Sequence, residues 1–409
     1  MSPQPSRILY LCGGRSFTSA APPRKIQEVV NCWRRAGHDV RHVCGGDVPP
    51  RPPTESPAVY GAQATHTRWF RKIPMSAPLI TSLSERRDIQ HDAQMLNFLR
   101  NGLEDWRPDL VWERSCRLHA AGLDFAREIG VPYVLEWKDH LVDYRHSLFR
   151  GRALKLEMKK NHSADHVVVE SGVLRNALAA EGIDARKIIV AHNAVDASQF
   201  KRSPDKRSAV RAELGIADDD ILVGYLGSYA FYHDTIRLVL AANILRKGSQ
   251  ARSIRFLMVG AGLEYTETRE RAQALGLLDD MITMRPGVPK EDVPGILAAL
   301  DLAVLPGSTD IICPIKVQEY MASALPAVVP DHACNREVIE DGRTGALFEP
   351  HNAGALADQI MRLAEDESLR IAMGKAARAE IEQRFLWEQT WGAALETTLS
   401  ATLSTSVSA

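Results

Sequence analysis

The 409-residue chain reads as an α/β protein of two similar domains, each built on a parallel sheet. Three observations carry that reading. Short β-branched runs alternate with longer amphipathic stretches over most of the length, as in parallel sheets covered by helices. The alternation lapses across the polar residues 196–214 and then restarts. Hydrophobic residues make up 45% of the chain, enough to fill two cores.

In order, the first half offers strands at 7–12, 39–44, 109–113, 132–137, 166–170 and 187–192. Helical patterns lie between them, at 24–37 and 171–182, with Gly37 and Gly182 placed as helix-ending glycines. The stretch from Pro49 to Pro78 is rich in proline and polar residues and contains the aromatic-basic piece "HTRWFRKIPM" (66–75), which reads as a functional loop. Beyond the polar link, strands are expected at 221–228, 253–262, 281–287, 301–307 and 326–330. From Asn352 the pattern is helical and ends in an apolar helix at 385–399, with "STSVSA" frayed. The expected domains are therefore 1–195 and 196–384, followed by a terminal helix in 385–409.

Composition excludes several classes. With 50 basic and 51 acidic residues the net charge is −1, so neither a nucleic-acid footprint nor a polybasic membrane anchor is present. The six cysteines are scattered, with no CxxC pair and no zinc-type spacing, and read as reduced thiols of a cytoplasmic protein. The start lacks the pattern of a signal peptide, and no run of about 18 apolar residues occurs.

Open α/β sheets bind ligands beyond the carboxyl ends of their strands, which singles out the residues following each strand. These are Gly13-Gly14-Arg15, Glu113-Arg114, Lys138-Asp139-His140, Gly227-Ser228, Gly260-Ala261-Gly262, Arg285-Pro286-Gly287 and the segment "GSTDIICPIK". That last segment opens a helix, "CPIKVQEYMASALP" (313–326), in which Lys316, Glu319 and Ser323 share one face. On a solvated face a Lys–Glu pair would add only ~0.2–0.5 kcal/mol. A lysine in the first turn, however, opposes the helix dipole, and a bound diphosphate resolves that conflict. Glu319, one turn on, is then placed to accept from the ribose hydroxyls of a nucleotide. "VGAG" (259–262) lacks the full dinucleotide fingerprint, and Asp218-Asp219-Asp220 reads as a solvated turn, not a metal site. Glu113 and Arg114 are open to a second reading as a structural pair, as is Glu136.

The residues resemble glycosyltransferase family 4. The likeness rests on "KIIVAHNAVDASQF", "GYLGSYAFYHDTIRLVLAANIL", "FLMVGAGLEY", "LDLAVLPG", "CPIKVQEYMASALPAVVPD", "EVIEDGRTGALFEP" and "LRIAMGKAARAEIEQRFLWEQ", in the family's order. "GHDV", "VWERSCRLHAAGLDFAREIGVPYVLEWKDH" and "ADHVVVES" match more loosely in the first half. The resemblance implies a GT-B architecture, two Rossmann-like domains with parallel sheets facing across a cleft. The acceptor would bind the first, the nucleotide-sugar mainly the second, and the last helix would return to the first.

The implied activity is that of a retaining, hexosyltransferase-type enzyme of glycan, polysaccharide, glycolipid or natural-product biosynthesis, with a glycan, lipid-linked or small-molecule acceptor. It uses no cofactor and no metal, the nucleotide-sugar being a substrate. Carried over residue by residue, Glu319 falls on the ribose-holding glutamate and Lys316 in the diphosphate-facing turn. Ile315 opens that turn. Gly227 and Ser228 follow the second domain's first strand, Gly260 the next, and Arg285 to Val288 fall where the base lies. Gly13 and Gly14 line the diphosphate, and His140 occupies the position of a sugar-facing histidine.

Two departures stand out: Ile311, beside Asp310, occupies the place of a second glutamate, and His233 that of a lysine. Residues 66–75 read either as a contact for a lipid-linked or polyanionic acceptor, peripheral at the inner membrane face, or as a loop packed on the domain's own surface. Two other classes share the fold, a non-catalytic partner subunit and a nucleotide-sugar epimerase or phosphorylase.

Overall fold

The computed structural model describes residues 5–15, 17–20, 22–48, 76–103, 105–138, 147–248 and 254–406. Contacts divide the chain into two units, and the described residues of the first run to His192 and resume at Trp387. Those of the second run from Asn193 to Leu386.

The first unit carries β1 (Arg7–Cys12), β2 (Asp39–Cys44), β3 (Leu110–Arg114), β4 (Tyr133–Glu136), β5 (His166–Val169) and β6 (Ile188–Val190). They form a parallel sheet in the order β2-β1-β3-β4-β5-β6. The second unit carries β7 (Ile221–Leu226), β8 (Ile254–Val259), β9 (Ile282–Arg285), β10 (Leu302–Val304), β11 (Ala327–Pro330) and β12 (Gly345–Phe348). Here the parallel order is β12-β11-β10-β7-β8-β9. Helices cover both faces, so the strands are continuous apolar runs and not alternating ones. In β7 every residue after Ile221 is buried. Strand order reverses between β1 and β3 in one sheet and between β7 and β10 in the other, the points at which doubly wound sheets open a crevice.

Gly37 and Gly182 end their helices at φ +97° and +89°, as their positions in the pattern require. Several expectations are corrected. The strand expected at 253–262 stops at Val259, because Gly260 turns the chain at φ +152°. The strand β12 was not anticipated, since "GALF" is short and lies just beyond a turn. Residues 196–214 are not a bare link: they hold a 3-10 turn (Ala197–Phe200) and the helix Pro204–Leu214. Ser203 caps that helix by accepting from the Lys206 amide, Pro204 opens it and Gly215 closes it at φ +67°. Its Arg211 is buried and donates to Asp301 at 3.1 Å and to the carbonyls of Ala299 (3.2 Å) and Asp220 (2.7 Å). A polar segment can thus belong to a core when both terminal nitrogens of its arginine find acceptors.

The terminal segment is a π-helical turn, Glu388–Gly392, followed by the helix Ala393–Ser406. Trp391 donates to the His192 carbonyl at 3.0 Å, and Trp33 donates to the Trp391 carbonyl at 3.0 Å. Among the described residues no helix is long and apolar enough to cross a membrane.

Candidate active site

The carboxyl edge of the second unit's sheet brings Gly227, Ser228, His233, Gly260 and Lys316 together at the β7/β10 reversal. Two glycine turns make this possible. A side chain at Gly227 would overlap the Lys316 Nζ and lie 2.8 Å from its Cε, so the absence of a Cβ is what admits the lysine. A side chain at Gly260 would overlap the Gly227 carbonyl oxygen. The two turns are stitched together by hydrogen bonds donated by the Gly227 amide to the Val259 carbonyl (3.0 Å) and by the Tyr229 amide to the Ala261 carbonyl (2.9 Å).

The helix Ile315–Ala322 follows Pro314, and every residue from Lys316 to Ala322 is buried. The expected charged stripe is therefore not a solvated face. Asn193 anchors the approach to this helix by donating from Nδ2 to the Cys313 carbonyl at 3.0 Å. Tyr320 clamps it to β7, with its hydroxyl donating to the Leu226 carbonyl at 3.1 Å and accepting from the Leu226 amide at 3.0 Å.

Lys316 is 7% exposed. Its Nζ lies 3.0 Å from His233 Nε2, 3.4 Å from the Tyr225 hydroxyl and 4.9 Å from the centre of the Tyr225 ring. Burial pulls its amine down to about 7 against the opposing pull of Glu319. His233 is buried, and its Nδ1 faces the Gly307 carbonyl at 3.3 Å. Burial, reinforced by Lys316, lowers its imidazole to about 3 and keeps it neutral. The Nδ1 proton belongs on Gly307, which leaves Nε2 to accept from Lys316. The Tyr225 hydroxyl donates to the Ser228 carbonyl at 2.6 Å, so its oxygen also faces Lys316 as an acceptor. Burial pushes that phenol well above its usual range. The arrangement is a buried amine whose two hydrogen-bond partners are neutral, with Glu319 one turn away favouring its charged form.

The other expected residues fall around it. Glu319 is wholly buried one turn along the same helix, and Ile315 is half-buried at its start. Asp310 is exposed and Ile311 half-buried in the loop after β10. Arg285 ends β9 with its guanidinium on Glu213 at 2.9 Å, while its backbone carbonyl accepts from the Gly260 amide at 3.1 Å. Val288 is half-buried against the core. His140 and residues 66–75 lie outside the described residues.

In the first unit, Gly13 and Gly14 follow β1 at its own reversal point. A side chain at Gly13 would sit 2.9 Å from the His119 ring, and Gly45 packs against the Gly13 and Gly14 backbone. Glu113 and Arg114 do not pair with each other: neighbours on a strand face opposite sides. Glu113 takes Lys160 at 2.9 Å and the Tyr133 hydroxyl at 2.8 Å, whereas Arg114 takes Glu136 at 2.7 Å. Glu136 also lies 3.5 Å from Lys25, and Glu170 pairs with Lys25 and, at 3.3 Å, with Lys138.

Sequence reasoning overlooked Tyr225 and Asn193 as parts of the site, and included Gly307 only as the first residue of "GSTDIICPIK", without its role. Tyr225 reads as a core residue of a strand, and Gly307 acts through its carbonyl, which leaves no side-chain signal. Asn193 stands in the quoted "HNAVD", where its polarity beside an apolar strand was the available sign.

Comparison with known proteins agrees with this architecture. Residues 22–194 match the family described as "Glycosyl transferase 4-like domain" and residues 206–380 match "Glycosyl transferases group 1". The chain belongs to the GT-B glycosyltransferases of the family 4 type, and it is a transferase enzyme. It is similar to a D-inositol 3-phosphate glycosyltransferase of Arthrobacter sp. (strain FB24), 28% identical over 301 residues that make up 71% of this chain and 70% of that protein. A glycosyltransferase from Rickettsia africae ESF-5 shares the fold with a TM-score of 0.71 at 17% identity, over 98% of this chain and 99% of that one. Anabaena Alr3699/HepE, solved in complex with UDP and also with UDP-glucose, shares it with a TM-score of 0.68 at 18% identity, over 97% of this chain and 100% of that one.

Proposed function

We propose that the protein moves a sugar, with retention at the anomeric carbon and without a metal, from a nucleoside-diphosphate sugar to an acceptor hydroxyl. The observation that carries this reading is the buried Lys316 at the β7/β10 reversal, held by neutral groups beside a helix amino terminus. A buried amine whose hydrogen-bond partners are neutral holds its charge best when an anion is bound beside it. Glycosyl transfer develops positive charge on the sugar ring while the diphosphate departs, so the dominant requirement is to stabilise the leaving group. Lys316 supplies that charge, and the glycine turns at Gly227 and Gly260 let backbone approach the phosphates. UDP and UDP-glucose in the Anabaena protein support a donor of this class.

Glu319 is proposed to hold the ribose hydroxyls, the segment Arg285 to Val288 to border the base, and Gly13, Gly14 and His140 to face the diphosphate and the sugar. Retention and the roles in the first unit rest on the family resemblance. The acceptor is a glycan, a lipid-linked sugar or a small molecule. The name of the Arthrobacter relative puts an inositol phosphate first in the acceptor panel. Residues 66–75 are proposed to touch a membrane surface from the cytoplasmic side.

The test is binding and slow hydrolysis of a panel of nucleotide-sugars by the purified protein, with and without chelator. One donor is expected to bind selectively and to release its nucleotide whether or not chelator is present. Loss of turnover in chelator would overturn the metal-free part. Failure of every donor to bind would shift the reading to a non-catalytic partner subunit. The anomeric configuration of the product, read by NMR, decides retention.

A further inference from the structure

Resting on that donor-site reading, we propose that His233 is a positioning residue which holds the Lys316 ammonium on the donor diphosphate, and that donor binding draws a proton onto Lys316. His233 has two ring nitrogens, and both are spoken for. Nδ1 lies 3.3 Å from the Gly307 carbonyl and Nε2 lies 3.0 Å from Lys316 Nζ. A neutral imidazole offers one acceptor, and Lys316 takes it. His233 is therefore not a phosphate partner in its own right.

The groups facing Lys316 are few. From β7 comes the Tyr225 hydroxyl, from the 3-10 turn Phe231–His233 comes the imidazole, and from its own helix comes Glu319, which favours the charged amine. An ammonium has three N–H groups. Two are directed at Tyr225 and His233, and among the described residues these are the hydrogen bonds Nζ makes. A phosphate oxygen takes the third.

The free site holds the amine in a buried setting where desolvation opposes charge, and the diphosphate reverses the balance. Protonation of Lys316 is thus coupled to donor binding. A permanently charged arginine would lack this coupling. The sugar-linked diphosphate carries no monoester ionisation near neutral pH, so the proton that moves is the protein's.

The experiment is calorimetric titration of UDP-glucose and GDP-mannose from pH 6 to 8.5, in pairs of buffers with different ionisation enthalpies. The wild type is expected to take up more than about half a proton at pH 7.5 and almost none at pH 6, with affinity falling roughly tenfold per pH unit above 7. Lys316→Arg is expected to lose the proton uptake. His233→Leu, which removes the acceptor, is expected to move the midpoint to lower pH, and His233→Gln, which keeps one, to restore it. A merely structural role for His233 would leave the midpoint unmoved and overturn its assignment. Unchanged donor binding in Lys316→Ala would overturn the donor-site reading itself. Weakened binding in that variant without proton uptake by the wild type would overturn only the coupling.

A ligand-free arm uses urea unfolding of the wild type and Lys316→Met. An amine lowered to about 7 in the fold binds fewer protons than the unfolded chain between pH 7 and about 10.4. The stability of the wild type relative to Lys316→Met is therefore expected to rise with pH across that window, by a factor of roughly ten in the unfolding constant per pH unit. A difference that does not change with pH overturns the proton coupling whichever donor is used.

Discussion

Gly227 is the residue on which the Lys316 geometry depends. Its missing Cβ leaves the space the amine occupies, and a methyl group there would overlap Nζ. Gly227→Ala is expected to displace the amine by about an ångström and to lower kcat/KM for donor turnover by about 100-fold, with the circular dichroism spectrum unchanged. Activity within twofold of wild type would show that Lys316 has another route to the diphosphate. Lys316→Ala and Glu319→Gln are each expected to remove most turnover while the chain stays folded. The two substitutions differ in kind. Alanine at 316 deletes a cation, whereas glutamine at 319 keeps the shape of a wholly buried side chain and removes only its charge and half of its accepting capacity. Wild-type turnover in both variants would remove this helix from the active site.

At the scale of elements, the helix Ile315–Ala322 is placed from outside itself, because it is only eight residues long and has no side-chain cap. Asn193 fixes its approach, and Tyr320 fixes its far turn to β7. Asn193→Ala leaves a buried carbonyl without its donor, which costs about 1–2 kcal/mol. Urea unfolding is expected to show that loss, together with a several-fold rise in donor KM at nearly constant kcat. A change in stability alone would restrict Asn193 to scaffolding.

The carboxyl edge of the first sheet makes a separate prediction. Burial alone would raise the Glu170 carboxyl, but Lys138, Lys25 and Arg114 together hold it below the usual carboxylate range. A depressed carboxylate contributes stability that is present above its unfolded value, ~4.3, and is lost as pH falls through its folded one. Glu170→Gln is therefore expected to cost about 3–5 kcal/mol at pH 7 and progressively less below pH 4. A penalty that stays constant with pH would contradict the ionic account.

These elements also show what the sequence made legible. Among the described residues, eleven of the twelve strands stand out as apolar runs between polar turns, because strands buried on both faces admit little else. Lys316 was visible because a lysine in a first turn contradicts the dipole. The pairing of Glu113 with Lys160, and of Arg114 with Glu136, was not visible, since partners 47 and 22 residues away are brought together only by the fold, the first from the helix Arg150–Ser163 and the second from the neighbouring strand. The burial of Arg211 was hidden as well: its carboxylate partner Asp301 lies 90 residues away, and its other acceptors are backbone carbonyls, which every residue possesses.

At the scale of the whole molecule, the chain completes its first unit only with its last residues. Residues to His192 leave a face of the first sheet that Trp391 fills from the far end of the sequence. Its indole donates to the His192 carbonyl, lies 6.2 Å from the Trp112 ring and carries the Lys25 amine 3.9 Å over its face. Trp33 reaches the same residue through its carbonyl. A side chain so enclosed contributes both transfer energy and packing, and Trp391→Ala is expected to cost about 3–5 kcal/mol. The loss should be local in origin. The residues Trp391 touches lie in β3, in the helix Arg24–Arg35 and at His192, all within the first unit. Hydrogen exchange is expected to accelerate in β1, β3 and that helix, while β7, β8 and β10 keep their wild-type protection and UDP-glucose affinity stays within about twofold. Exchange that rises equally in both sheets would mean that the two units open as one cooperative body, and that the terminal segment stabilises the whole chain and not the unit it completes.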